Sequence, residues 1–535
     1  MTRADAPYTD VSSLLAQHCR QFPARVFIES IHQGTRITFA EADRACNRLA
    51  HVFAARGLRA NDRVAILSEN SLEAILIFYG VLRFGAAVNP INVEESSYNI
   101  RQILEDVRPK LVLVHRDFAA ARPDVVRDAP GECIPFDDWG AADPAARELF
   151  GMVRAVPDAP FGPPVGGADD MGVVVFTSGT TERPKGVLIS HAGFSAMVQE
   201  VAERFEIGPD DRVLEYRAYS WESPQLLAIG PALHRGCTLV LARKFSQSHF
   251  FDWLRDYRVT VAAGVPTVLQ MLLARPLPVH KRDLPALRFM TSSSAPLARE
   301  SHEAFEAQYG IRIVQGCGMS EAGFMAGNSP SWRKMGSIGR PMRFTTLAFV
   351  DGAGRPCPPG EEGEMVVSGR KLAAGYVAPH GEMTPIPHDA FPTGDMGYRD
   401  AEGFIFLTGR KKDLIIRGGV NISPMEVTNT LLEHPDVHDA ATAGVPDPIY
   451  GEEVASFVVR RPGSTVDSEA LREHCRKRLP DFKVPKVVLF VDAIPKTDRG
   501  KVAKGELLKA WERAQPSPRD AGALRAEVRG LRTED

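Results

Sequence analysis

Between positions 38 and 56 apolar residues recur at helical spacing: Phe39, Ala42, Ala45, Leu49, Val52 and Phe53. Such a period turns one stripe of side chains toward a core and predicts an amphipathic helix. Residues 63–67 form a short apolar run, as a buried strand does, and 110–114 form another. Between them, 71–84 reads as an apolar helix, with the Ser71 hydroxyl suited to cap its first amides. Strand and helix in alternation predict βαβ units, and hence a parallel sheet covered by helices on both faces. A stretch rich in Pro, Gly and Asp, 157–170, interrupts the rhythm as a surface loop. The rhythm resumes with strands at 173–176, 237–241 and 260–263.

Beyond about Ser337 the pattern changes. Gly, Pro and short alternating segments (346–350, 363–367, 403–407) predict an antiparallel β portion. A charge run at 409–413 interrupts it, and a compact α+β pattern follows as far as about Ala510. The expected fold class is α/β, with a large N-terminal domain of βαβ-type sheets over 1–411 that includes the small β portion. A smaller, mobile α+β domain over 412–535 completes it, its tail from about Arg513 being a frayed helix or disordered.

Composition narrows the function classes. At 535 residues, 44% hydrophobic and 24% charged, the chain is that of a soluble globular protein with room for more than one domain. A formal charge of −3 and the lack of a long basic run argue against a nucleic-acid partner. Seven cysteines, scattered from Cys19 to Cys475, do not form a disulfide framework. The polar start has no signal-like apolar region, and no run reaches the roughly 18 apolar residues of a membrane span. A cytoplasmic protein without an integral membrane segment is expected. Its oligomeric state is not legible.

The chemistry begins after the strand at 173–176. Thr177, Ser178, Gly179, Thr180, Thr181, Glu182, Arg183, Pro184, Lys185 and Gly186 crowd hydroxyls, glycines and a lysine into ten positions. Glycines let backbone amides approach an anion, hydroxyls donate to its oxygens, and lysine adds a mobile charge. The stretch is not a Walker loop, because Pro184 precedes Lys185 and Gly186 follows it. Composition alone fits an ordinary Ser/Thr/Gly turn equally well. The order of residues decides between them: it resembles the phosphate loop of the adenylate-forming superfamily, which includes acyl-CoA synthetases, firefly luciferases and peptide-synthetase adenylation domains. That family usually has Gly where this chain has Glu182.

Further stretches resemble the same family in the same order, over roughly 38–510. Gly316, Cys317, Gly318, Met319, Ser320 and Glu321, expected on a glycine-rich turn after a strand at 311–314, resemble the motif whose glutamate helps to hold Mg²⁺ beside the nucleotide. Cys317 stands where the family commonly places an aromatic ring against adenine. Ser293, Ser294, Ala295 and Pro296 resemble the small-residue loop that lines the adenine and acyl sites. Asp395, expected just before a β-like segment, resembles the ribose-binding carboxylate, with Arg410 as second ribose contact and Lys412 at the hinge. Gly418 and Gly419 resemble the loop used in thioester formation, and Lys501 the lysine that bridges the acyl carboxylate and α-phosphate.

The resemblance implies an AMP-forming carboxylic acid–CoA ligase using ATP, Mg²⁺ and CoA. Lys501, Glu321, Thr177 and Lys185 would be its catalytic set. A carboxylate would attack the α-phosphorus of ATP, and the acyl-adenylate would then pass to the CoA thiol. Alternatives are an acyl-AMP ligase that loads a carrier protein, a luciferase-like oxygenase, or a catalytically silent nucleotide- or acyl-binding regulator. Trp221 falls near the family's usual histidine, in a pocket with Ser293 and Gly318. Its indole could shorten that pocket, wall it for a ring, or face a cationic group with Glu222 nearby; it could equally be core packing. The sequence does not fix the acid.

Overall fold

The structure is a computed structural model, and it describes residues 8–139, 148–177, 184–295, 297–377, 381–418, 420–496 and 501–514. The chain forms two compact units, Met1–Thr393 with Tyr398–Phe406, and Gly394–Gly397 with Leu407–Asp535.

Besides a smaller sheet in which Thr346–Val350 and Gly363–Ser368 pair antiparallel, the first unit is built on two large sheets. In one, the strands Met171–Thr177, Ala87–Ile91, Arg63–Leu67, Leu111–His115 and Glu132–Phe136 lie side by side and parallel. Lys185–Ser190, Gly375–Val377 and Met383–Pro385 extend it antiparallel beyond Met171–Thr177. The parallel expectation therefore holds for only part of this sheet. The phosphate-loop connection is too short for a crossover, so Lys185–Ser190 must return as a hairpin arm. In the other sheet Ile313–Met319, Phe289–Ser292, Val261–Ala262, Arg212–Glu215, Thr238–Leu241 and Val26–Ser30 are parallel.

Helix Phe39–Ala55 starts at a capping box, with Thr38 accepting from the Glu41 amide and the Glu41 carboxylate accepting from the Thr38 amide. Ser71 caps Leu72–Phe84 by accepting from the Ala74 amide, and every residue of that helix is buried. The two helices lie close: a Cβ on Gly80 would come within 2.7 Å of Leu49 Cδ1. Phe27, Phe39, Phe53, Phe78 and Tyr79 fill the core around them.

One polar cluster fixes the start of strand Ile313–Met319. Glu306, on helix Arg299–Tyr309, accepts from the Ile313 amide at 2.7 Å and from Arg333 Nη2 at 2.8 Å, and His302 Nε2 lies 3.2 Å away. Burial pushes this carboxyl up, but hydrogen bonds from His302, Arg333 and Ile313 outweigh it and bring it down to about 2. A depressed carboxyl contributes stability that is fully present above its unfolded value, about 4.3, and is lost as pH falls through the folded value. Glu306→Gln should therefore narrow its stability gap from the parent between about pH 5 and about pH 2, as read from urea midpoints. A gap that does not change with pH would contradict the assignment.

In the second unit Val420–Ile422, Ile415–Arg417, Gly451–Arg460 and Val437–Asp447 form a sheet, with Val487–Phe490 parallel to Gly451–Arg460. Helices Pro424–Leu432 and Ser468–Arg476 contribute Val427, Leu431 and Leu471 to its core. Helix Lys504–Ala514 packs Leu507 beside Phe457 and Ala441, and the expected tail beyond it lies outside the described residues.

Two local expectations are corrected. Gly316 to Met319 belong to strand Ile313–Met319, and only Ser320 to Ala322 turn. The antiparallel partner Gly323–Gly327 keeps the glycines in the ladder. Thr393 to Asp395 lie inside strand Phe391–Arg399 rather than before it. Gly418 sits at the turn of a hairpin between Ile415–Arg417 and Val420–Ile422. No disulfide links the cysteines, and no helix among the described residues is long and apolar enough to cross a membrane.

Candidate active site

In the first unit the candidate residues gather at the carboxyl ends of parallel strands, where open α/β sheets place their ligands. Strand Arg212–Glu215 leads into Arg217, Phe289–Ser292 into Ser293 and Ser294, and Ile313–Met319 carries Gly316 to Met319. Glu215 and Arg217 form a buried two-pronged pair, Nε to Oε1 at 2.8 Å and Nη2 to Oε2 at 2.6 Å. The remaining Arg217 nitrogen, Nη1, donates to Ser293 Oγ at 3.3 Å and Ser223 Oγ at 3.4 Å. Ser223 Oγ in turn lies 3.3 Å from Ser294 Oγ.

Ser294 has φ +74°, a left-handed conformation uncommon for a residue with a side chain, and its surroundings must hold it there. Ala295 follows it, half-buried, and Pro296 lies outside the described residues. Gly316 and Gly318 are required by close packing. A Cβ on Gly318 would sit 2.5 Å from the Gly323 carbonyl oxygen, and one on Gly316 3.0 Å from the Phe324 ring. Cys317 and Met319, between and beyond them on the strand, are half-buried. Trp221, also half-buried, immediately precedes the helical turn Glu222–Pro224, and a single π-turn, Gln225–Ile229, follows. Such π-turns are frequent at functional sites.

Glu321 follows Ser320 in the turn after Ile313–Met319. Its Oε1 accepts from the Tyr376 hydroxyl at 2.9 Å. Burial, then the Glu321 charge, push the Tyr376 phenol upward, so it stays a donor at neutral pH. Tyr376 lies on Gly375–Val377, in register with Val187 of the strand that Lys185 opens. The tyrosine thereby links the carboxylate to one arm of the phosphate-loop hairpin, in which Thr177 pairs with Lys185. Lys185 is exposed. Gly186 fits between Phe176 and Val377, where a Cβ would come within 2.7 Å and 2.9 Å of their side chains. Ser178, Gly179, Thr180 and Thr181 fall outside the described residues.

The segment bearing Tyr376 is anchored by a buried ion pair. Lys371 bonds Glu200 of helix His191–Arg204, both side chains fully buried, and also donates to the Phe324 carbonyl at 2.6 Å. Glu200 accepts further from the Phe344 amide at 3.0 Å. Burial pushes the Glu200 carboxyl up and the Lys371 ammonium down, each opposed by the other's charge.

In the second unit, Asp395 is buried and Arg410 Nε meets its Oδ1 at 2.6 Å. Lys412, in the short turn Lys411–Asp413, is exposed. Gly418 has φ +58°; its amide donates to the Tyr450 carbonyl at 2.8 Å, and a Cβ would come 3.2 Å from the Tyr450 ring. Arg417 lies over the same ring, 4.2 Å from its centroid, and pairs with Glu453 at 2.6 Å. Gly419 falls outside the described residues, and Lys501 is exposed just before helix Lys504–Ala514.

Residues 15–377 match the profile of the AMP-binding enzyme family, and 426–501 that of the AMP-binding enzyme C-terminal domain. The chain belongs to this family. It is an adenylate-forming enzyme, as its motifs imply, and it shares the family's two-part α/β architecture. This AMP-binding enzyme is 35% identical over 509 residues to a sulfoacetate–CoA ligase of Cupriavidus necator, covering 94% of the chain and 98% of the relative. It is 33% identical over 484 residues to a feruloyl-CoA synthase of Amycolatopsis, covering 90% and 95%. ATP-bound MatB from Rhodopseudomonas palustris superposes with a TM-score of 0.84 at 27% identity, over 94% of this chain and 99% of that one.

Three residues that support the AMP-binding enzyme's candidate site escape sequence reasoning: Tyr376, Lys371 and Glu200. Each acts through a partner far along the chain, 55 residues away for Tyr376 and Glu321, and 171 for Lys371 and Glu200. No local pattern carries that signal.

Proposed function

We propose that this enzyme is an AMP-forming carboxylic acid–CoA ligase, which makes an acyl-adenylate and pyrophosphate and then passes the acyl group to the CoA thiol. The observation that carries the reading is the placement of Glu321. The Tyr376 hydroxyl holds its carboxylate, and Tyr376 belongs to the strand hydrogen-bonded to the phosphate-loop hairpin. A carboxylate held through the neighbour of the strand that Lys185 opens suits a nucleoside triphosphate and its cation.

Adenylation brings two anions together, so the site must cancel their repulsion and hold them in line. Lys185 and the hydroxyls of the 177–181 stretch serve the phosphates, and Lys501 the acyl carboxylate and α-phosphate. Asp395, held by Arg410, accepts from the ribose hydroxyls. The strand ends at Ser293 to Ala295 and Gly316 to Ser320 receive adenine and the acyl group. Gly418 lies beside the pantetheine arm of CoA, where a slender backbone is needed, and Lys412 marks the hinge. The donor set at Glu321 fits Mg²⁺: a half-buried hard oxygen ligand with one oxygen already oriented by Tyr376. Bound there, Mg²⁺ would supply positive charge to the phosphates.

The reading is tested by incubating the purified protein with ATP, Mg²⁺, CoA and a panel of carboxylic acids, and following products by mass spectrometry. Acyl-CoA with stoichiometric AMP is expected. Acyl-adenylate without thioester would redirect the acceptor to a carrier protein, and no AMP with any acid would overturn the proposal.

A further inference from the structure

We propose that Glu222 is a specificity-determining residue that receives a positively charged nitrogen on the tail of the carboxylic acid substrate. This rests on reading the cleft around Ser293 and Ser294 as the acyl site. Glu222 opens the helical turn Glu222–Pro224, and its neighbour Ser223 is bonded to both Arg217 and Ser294. The residue therefore stands at the small-residue loop.

Its Oε1 is buried and has no hydrogen-bond partner among the described residues. A buried, unpaired carboxylate oxygen is costly and calls for a donor or a cation. No hydrogen bond among the described residues answers it. The charges that bear on Glu222 are Glu321 and Lys371, and Lys371 is committed to Glu200 and the Phe324 carbonyl. Arg217, the other nearby cation, spends two nitrogens on Glu215 and its third on two serine hydroxyls. Glu200 and Glu222 thus both draw on the one Lys371 ammonium, which leaves Glu222 short of positive charge. Consistently, burial and then the Glu321 charge push the Glu222 carboxyl well up, with Lys371 opposing.

A substrate nitrogen carrying positive charge resolves this deficit, and the preceding Trp221 adds an aromatic residue at the same turn, a frequent partner of ammonium groups. A neutral tail leaves the oxygen unpaired. An anionic tail, such as the sulfonate in the name of the Cupriavidus relative, adds repulsion.

The test compares three acids of similar size: 4-(trimethylammonio)butanoate, its neutral carbon isostere 5,5-dimethylhexanoate, and a sulfonate-terminated acid. Binding is measured by calorimetry and turnover by AMP release, so the two readings fail separately. The ammonium acid should bind at least about tenfold more tightly than the other two, the range of a desolvated cation–π contact. Glu222→Gln should lower that preference by about tenfold and improve binding of the neutral acid. Equal or better binding of the neutral or sulfonated acid by the parent enzyme overturns the inference, whether or not the variant folds. So does a Glu222→Gln variant that changes the Mg²⁺ requirement but not the preference among acids. Preferential binding of the ammonium acid without any AMP would leave the inference standing and sink the ligase reading instead.

Discussion

Lys501→Ala is expected to slow ATP-dependent pyrophosphate release by about 30- to 900-fold, the equivalent of about 2–4 kcal/mol for one preorganised charge-stabilising group. The physical reason is the like charge of the two reactants. A carboxylate approaching an α-phosphate gains nothing from proximity unless a cation lies where the charges converge. Lys501 is exposed, and a surface replacement of this kind usually changes stability by no more than about 0.5 kcal/mol, so the loss should appear in chemistry rather than in folding. Thioester formation from a pre-made acyl-adenylate and CoA should fall much less, because the phosphoryl step is already complete. Arginine should restore little, since its planar fork does not reproduce a compact ammonium. Unchanged pyrophosphate release in Lys501→Ala would remove the residue from its assigned role.

The second large effect concerns stability. Lys371→Met is expected to destabilise the first unit by about 3–5 kcal/mol, because it leaves the Glu200 carboxylate buried without its ion partner. Glu200→Leu alone should cost a similar amount by stranding the ammonium. The double replacement should recover much of the loss, since two apolar groups together leave no unpaired charge, although the Phe324 carbonyl and Phe344 amide still lose their partners. Urea midpoints of the four proteins give the coupling directly. Single replacements that each cost under about 1 kcal/mol would show that the pair carries little of the fold. Adenylation should weaken alongside stability, because Lys371 anchors the segment that delivers Tyr376 to Glu321.

Much of the architecture is legible in residue order. The helix after Thr38, the Ser71 cap and the apolar strand at 63–67 rest on local chemistry, and neighbouring turns of the same segment suffice to reveal them. The glycine-rich stretch at 316–319 misleads because glycine alone signals a turn. Here it serves a strand whose partner's carbonyl oxygen and phenylalanine ring leave no room for side chains. Likewise Asp395 lies within strand Phe391–Arg399, which Gly394 does not interrupt. The hairpin return of Lys185–Ser190 is a consequence of loop length that the apolar pattern does not encode. The candidate positions Glu321, Ser293, Ser294, Asp395 and Arg410 are named by motif order. Their supports Tyr376, Lys371 and Glu200 are not, because tertiary structure alone brings them into contact.

The path of the chain between its two units has a bearing on how the family can be recombined. The chain passes from one unit to the other at Thr393, returns at Gly397, and leaves again after Phe406. The second unit is therefore not a simple C-terminal appendix. A crossover at position 407 between this sequence and a relative would draw Asp395 from one parent and Arg410 from the other, splitting a 2.6 Å ion pair across the junction. Exchange points placed before Gly394 inherit both partners together, and hybrids made there should keep a carboxylate–guanidinium geometry that the later junction leaves to chance.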